Sequence, residues 1–174
     1  MAQSAKKKNI NDDLVRLWGI FLAIIFLTMG PGGCHGLKPS PTAEVKAIPE
    51  EITITKALLK KPVQFRGSGY APEEPIAVDM IIPKGIKIKA VGDGDESVQL
   101  AHAISDENGN FKATMGTRET LSWFFQVGWT ADVEPIFEEA APLPPGEYEI
   151  RATGKKSDAF GVTTLTVVPP ATKK

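Results

Sequence analysis

A single cysteine, Cys34, excludes an intramolecular disulfide. Charge of one sign is also missing. Lys and Arg number 20 and Asp and Glu 21, so no basic excess argues for nucleic-acid binding. Histidine occurs only at positions 35 and 102, which leaves no histidine pair at ligand spacing for a metal site or for acid–base work. No apolar run reaches the roughly 20 residues of a membrane-spanning helix. No fixed-length repeat appears, which argues against a solenoid or propeller. Nucleophile and base are nowhere set up as a catalytic group, so the chain is not expected to be an enzyme, and no cofactor is expected.

Glycine (16) and proline (14) are plentiful, as in a protein of many short elements joined by turns. The N-terminus has a different character. Lys6, Lys7, Lys8 and Arg16 precede the uncharged run Leu17–Met29, and Gly30-Pro31-Gly32-Gly33 breaks any helix before Cys34. A basic region, a short apolar core and small residues form a secretory leader pattern. Asp12 and Asp13 are unusual in such a basic region, and an uncleaved membrane anchor is the other reading of residues 1–33. Gly32-Gly33-Cys34 resembles the processing site of bacterial lipoproteins, in which the cysteine becomes the first mature residue and carries the acyl groups. Pro31 stands where that site usually has a leucine-like residue. The resemblance implies lipidation at Cys34, with the protein exported and membrane-anchored, periplasmic or at the cell surface. Residues 34–49, with Pro39, Pro41 and Pro49 among Ser, Thr, Ala and Lys, have the composition of a flexible tether.

From residue 50 to 170 the chain alternates repeatedly. Ile52 and Ile54 alternate with Thr53 and Thr55, and Val63 and Phe65 with Gln64 and Arg66. Ile76–Ile82 is more continuously apolar, as a central strand can be. Ile86, Ile88 and Ala90 alternate with Lys87 and Lys89, an edge-type pattern. Val98, Leu100, His102 and Ile104 fall on one face of the next run. Asn108-Gly109 then signals a hairpin, with Phe111, Ala113 and Met115 returning. Tyr148, Ile150 and Ala152 form a further strand, Val162–Val168 the last, and residues 171–174 a loose tail. Leu121, Trp123, Phe125, Val127 and Trp129 also alternate, although Leu121, Phe124, Phe125 and Gly128 fit a helix. Aromatic content and the want of a cap favour the strand. About seven to eight strands, with no helix after the leader, predict an all-β antiparallel sandwich.

Three segments give that expectation a family. F-R-G-S-G-Y-A-P-E-E-P at Phe65–Pro75, D-E-N-G-N-F at Asp106–Phe111 and P-L-P-P-G-E-Y-E-I-R-A-T-G at Pro142–Gly154 are followed by T-T-L-T-V at Thr163–Val167. In this order they resemble the strands and turns of bacterial immunoglobulin-like domains of cell-surface proteins, over about Ile52–Val168. The resemblance implies a structural or adhesive role and no chemistry. Thr117–Ala141 departs from it, being longer and more aromatic.

The candidate sites follow. Asp93, Asp95 and Glu96 offer oxygens for calcium but lack a calcium-loop register, and a solvated turn accounts for them. Asp106, Asn108 and Asn110 begin like an EF-hand, but Phe111 stands where that loop needs glycine. Gly67-Ser68-Gly69 is a turn and not a hydrolase elbow. Lys56, Lys60 and Lys61 read as a solvated strand end before they read as a contact for anionic lipid. Trp123, Phe124 and Trp129 are the candidate ligand-binding residues, for an envelope protein or a glycan. On the strand reading Trp123 and Trp129 face the core with Leu121, Phe125 and Val127, while Phe124 points outward beside Ser122 and Gln126.

Overall fold

The computed structural model describes residues 42–89, 91–92 and 94–170. The leader 1–33, Cys34, Asp93 and the tail 171–174 lie outside the described residues. Within them, no helix is long and apolar enough to cross a membrane.

The expected all-β class holds. Among the described residues ten strands form: β1 (Glu44–Ile48), β2 (Glu51–Thr53), β3 (Gln64–Ser68), β4 (Pro75–Ile81), β5 (Ser97–Ile104), β6 (Phe111–Thr114), β7 (Gly128–Trp129), β8 (Pro135–Ile136), β9 (Gly146–Gly154) and β10 (Phe160–Val168). One sheet has the order β1-β3-β6, a second β2-β10-β9-β4-β5, and β7 and β8 form a small ribbon. All pairings are antiparallel except β2 with β10, which is parallel. The two larger sheets share one core. Phe65, Phe111 and Ala113 enter it from the three-stranded sheet, and Ile76, Met80, Leu100, Ile150 and Leu165 from the five-stranded one. The continuous burial of Ile76, Ala77 and Val78 follows from the central place of β4 between β9 and β5.

Several expectations need correction. The segment 34–49 is not tether throughout, because β1 lies within it. Val45 and Ala47 are buried while Glu44, Lys46 and Ile48 are exposed, a period of two hidden among prolines. Thr42 and Ala43 also donate their backbone N–H groups to the Phe160 carbonyl, both at 3.0 Å. The run after Ile52 yields only the short β2 and then a helical turn, Ala57–Lys60, so helix is not absent. Of the expected run Ile86–Ala90, the described residues Ile86–Lys89 form no strand. Ile88 is buried in a loop, and the Lys89 N–H donates to Gln126 Oε1 at 2.6 Å.

The alternation along β5 breaks midway. Val78 pairs with Ala101 but Asp79 with Gln99, so Leu100 is an extra residue, a bulge. Val98 and Leu100 point inward before it and Ala101 after it. His102 and Ile104 are thereby turned outward, and Ile104 is 70% exposed. Asn108-Gly109 does make a turn, but it closes no hairpin within one sheet, because β5 and β6 belong to different sheets. Asp106 Oδ1 accepts the N–H groups of Asn108 and Asn110, each at 2.9 Å. The Gly109 carbonyl accepts the Tyr70 N–H at 3.2 Å. Gly109 has φ 74°, and a Cβ there would run into the Tyr70 carbonyl oxygen.

The stretch Tyr70–Pro75 fastens the sheets together. The Tyr70 ring meets Phe111 edge-on, with centroids 5.3 Å apart, and its hydroxyl donates to the Ala152 carbonyl at 3.1 Å. Burial pushes that phenol up to about 12. Glu74 is fully buried. Its carboxylate accepts the Ala71 N–H (2.6 Å), the Lys156 and Ser157 N–H groups (both 3.0 Å) and the Ser157 hydroxyl (2.7 Å). Burial alone would raise its pKa, but the hydrogen bonds from Ser157, Lys156 and Ala71 outweigh it and hold the group below the usual carboxylate range. Gly154 is required beside it, since a Cβ would stand 2.5 Å from Glu74 Oε1.

Candidate functional site

The segment Gly116–Leu143 connects β6 to β9. Its first part is helical, against the strand expectation for Thr120–Trp129. Thr117–Glu119 makes a single α-turn and Thr120–Phe125 a π-helical turn. Thr120 seals the start without a side-chain cap, because both its N–H (3.0 Å) and its hydroxyl (2.7 Å) bond the Gly116 carbonyl. Leu121, Phe124 and Val127 are buried, a spacing of three that belongs to the helical pattern. Gln126 ends the turn with φ 49°, and the Val127 N–H reaches back to the Leu121 carbonyl at 3.2 Å.

The way back is bonded to this turn. Leu143 N–H donates to the Phe124 carbonyl (2.8 Å) and Ala141 N–H to the Phe125 carbonyl (3.1 Å). Lys89 Nζ pairs with Glu139 at 2.7 Å, drawing the 3₁₀ turn Phe137–Glu139 to the loop before β5.

Between this segment and the outer edge of β5 lies an open cleft of about 640 Å³. Gln99, His102, Thr114, Arg118, Glu119, Ser122, Trp123 and Trp129 contribute to its lining. Trp123 Nε1–H donates to the Gln99 carbonyl at 2.9 Å. The indole therefore occupies a backbone acceptor on the free edge of the five-stranded sheet and fixes the cleft wall. The Arg118 guanidinium carbon stands 5.9 Å from the Trp129 ring centroid, within cation–π range.

The three candidate aromatics thus part company. Trp123 and Trp129, each half-buried, line the cleft together. Phe124 is fully buried and belongs to the core, so its expected outward orientation is reversed. The strand reading put Trp123 and Phe124 on opposite faces, and the helical turn exchanges those faces. His102, expected on an apolar face, lines the cleft instead. Gln99, Thr114, Arg118 and Glu119 were not singled out from the sequence. Only Arg118 and Glu119 had a local signal, as charges immediately before the aromatic run. Gln99 and Thr114 arrive from β5 and β6 through long-range packing that no local pattern encodes.

Ser122, His102 and Glu119 share the cleft. The hydrogen bonds found among the described residues join neither Ser122 to His102 nor His102 to Glu119. No group of three or more His, Cys, Asp or Glu among the described residues stands close enough to hold a metal. Of the acidic candidates Asp93, Asp95 and Glu96, Asp93 lies outside the described residues, and Asp95 Oδ2 accepts the Gly92 N–H at 3.2 Å.

No family model matches the chain, and no curated protein does. Solved structures give loose likenesses. A β-glucosidase from Listeria innocua is 14% identical over 76% of this chain, with a TM-score of 0.34. The β-glucosidase EmGH1 from Erythrobacter marinus is 14% identical over 74% of it, with a TM-score of 0.36. The bacterial hydrophobin BslA is 12% identical over 78% of it, with a TM-score of 0.34. The match takes in 100% of BslA but only 17% and 15% of the two glucosidases.

Proposed function

We propose that the chain is a non-catalytic, exported, lipid-anchored protein of the cell envelope, whose immunoglobulin-like sandwich binds a partner in the cleft beside β5. The strand order supports the immunoglobulin-like reading: three strands, β1-β3-β6, face a five-stranded sheet in which the first strand runs parallel to the last. Tyr148, near the start of β9, supports it too. Its hydroxyl donates to the Pro144 carbonyl four residues upstream, at 2.6 Å, the arrangement of a tyrosine corner.

The observation that carries the binding role is the cleft itself. The one long elaboration of the sandwich is bonded into a fixed shape, and what it builds is an open, aromatic-walled depression. A glycan is the second reading. It is favoured by Trp123 and Trp129 lining the same cleft, since flat indoles offer apolar faces to sugar rings. The leader ending at Cys34 supports export and anchoring.

Two measurements test this. Intact mass and N-terminal analysis of the membrane-extracted protein should show Cys34 as the first residue, bearing lipid; an intact Met1 or a bare Cys34 removes the lipoprotein reading. On a glycan array, binding that disappears in Trp129→Ala with an unchanged melting temperature selects the glycan. An array without signal leaves the cleft to a protein partner, and a Trp129→Ala protein that still captures the same partner overturns the cleft assignment.

A further inference from the structure

The outward face of the three-stranded sheet carries a row of cations. In the β1–β3 ladder Lys46 lies directly opposite Arg66, and in the β3–β6 ladder Arg66 lies directly opposite Lys112. All three are exposed, and their sequence neighbours Val45, Ala47, Phe65, Phe111 and Ala113 point into the core. Strands in a sheet lie about 4.8 Å apart, so three positive side chains rise from one line roughly 10 Å long. Like charges directly opposite one another destabilise a sheet. Neither ion pair found among the described residues involves these three residues. The strand acid on this face is Glu44, one row away and opposite Ser68. Ile48 adds an apolar side chain, 42% exposed, on the other side of the row.

We propose that this face docks on an anionic phospholipid surface, with Lys46, Arg66 and Lys112 against the headgroups. Charge complementarity requires an anionic occupant. The position of β1 selects a membrane, and this step rests on the lipid-anchor reading above. Only ten positions separate Cys34 from Glu44, and ten extended residues reach at most about 36 Å. A chain held by lipid at Cys34 therefore keeps β1 and its sheet within that distance of the headgroups. Each basic residue near an anionic leaflet multiplies the surface partition about fivefold, so the row supplies on the order of a hundredfold.

The test uses the full chain, floated with vesicles of phosphatidylcholine alone or with one-third phosphatidylserine, and an amine-reactive label read residue by residue. Lys46 and Lys112 are expected to react about tenfold more slowly on the anionic vesicles than on the neutral ones, with Lys84 and Lys155 unchanged. Salt should abolish the difference. Arg66→Gln, an exposed change at the centre of the row, should weaken the protection about fivefold. Equal reactivity of Lys46 and Lys112 on both vesicles overturns the proposal. So does uniform protection of every lysine, or protection by inorganic polyphosphate in solution without protection by vesicles. Flotation with the neutral vesicles reads the anchor separately. A chain that fails to float there defeats the anchor reading, while the lysine ratio on anionic vesicles still decides the docking face; a chain that floats with neither defeats both.

Discussion

Glu74 joins its own turn to that of Lys156 and Ser157, which lie 82 and 83 residues from it in sequence. Three backbone N–H groups and one hydroxyl converge on its carboxylate, so the ionised form is the one the fold is built for. A carboxylate whose folded pKa is depressed contributes stability above its unfolded pKa and loses it as pH falls through the folded value. The melting temperature should therefore hold above about pH 4.3 and decline below it. Glu74→Gln should cost about 2 kcal/mol at neutral pH, because an amide offers one acceptor oxygen and sets an NH₂ against donors. The acid decline should be shallower in Glu74→Gln, and a wild-type-like slope would show that other carboxylates carry it. Val133 is the opposite case, a residue at odds with its backbone. It has φ 63° and is 55% exposed, in the turn where Val133 N–H bonds the Thr130 carbonyl at 3.0 Å. A β-branched side chain is disfavoured in that region. Val133→Gly should raise stability by roughly 0.5–1 kcal/mol, as read by chemical denaturation.

At the scale of the element, the helical turn before β7 is where sequence and structure diverge most. Truncating Phe124 removes a fully buried ring and should cost about 3–5 kcal/mol. Trp123→Ala removes a half-buried ring and one hydrogen bond, and should cost about 1–2 kcal/mol. Thermal melts of the two variants check the order, and an earlier melt for Trp123→Ala would restore the strand-derived orientation. The alternation of Leu121, Trp123, Phe125, Val127 and Trp129 was legible but misleading, because both periods fit the same short aromatic run. What decided between them was tertiary: the Phe124 and Phe125 carbonyls are taken by Leu143 and Ala141, partners more than fifteen residues away. By contrast β4, β9 and β10 were readable from pattern alone, since burial in a central strand leaves a continuous or strictly alternating trace. In β5 the trace was right up to Leu100, where one extra residue reversed the face of His102 and Ile104. The cleft was half legible: its two tryptophans stood out, while Gln99 and Thr114 come from strands whose neighbours local patterns do not specify.

For the whole molecule, the boundary of the folded unit lies earlier than its composition suggests. A chain beginning at Ser40 keeps β1 and the bonds from Thr42 and Ala43 to Phe160, whereas one beginning at Pro49 strips the three-stranded sheet to two strands and uncovers Phe65. The longer form should melt cooperatively with a β-type circular dichroism spectrum. The shorter one should aggregate or melt far lower, and equal melts would place β1 outside the stable unit.

The parallel pairing of β2 with β10 has a temporal side. Glu51–Thr53 finds its ladder partner only in Thr166–Val168, and Thr42 and Ala43 wait for Phe160. A chain emerging from its N-terminus thus holds its first strands without their last partner until nearly all of it has been made. Were the chain exported as proposed above, that delay would serve its passage through a translocation pore: the leading end would stay open, and the two sheets would close on one another only after the tail had followed.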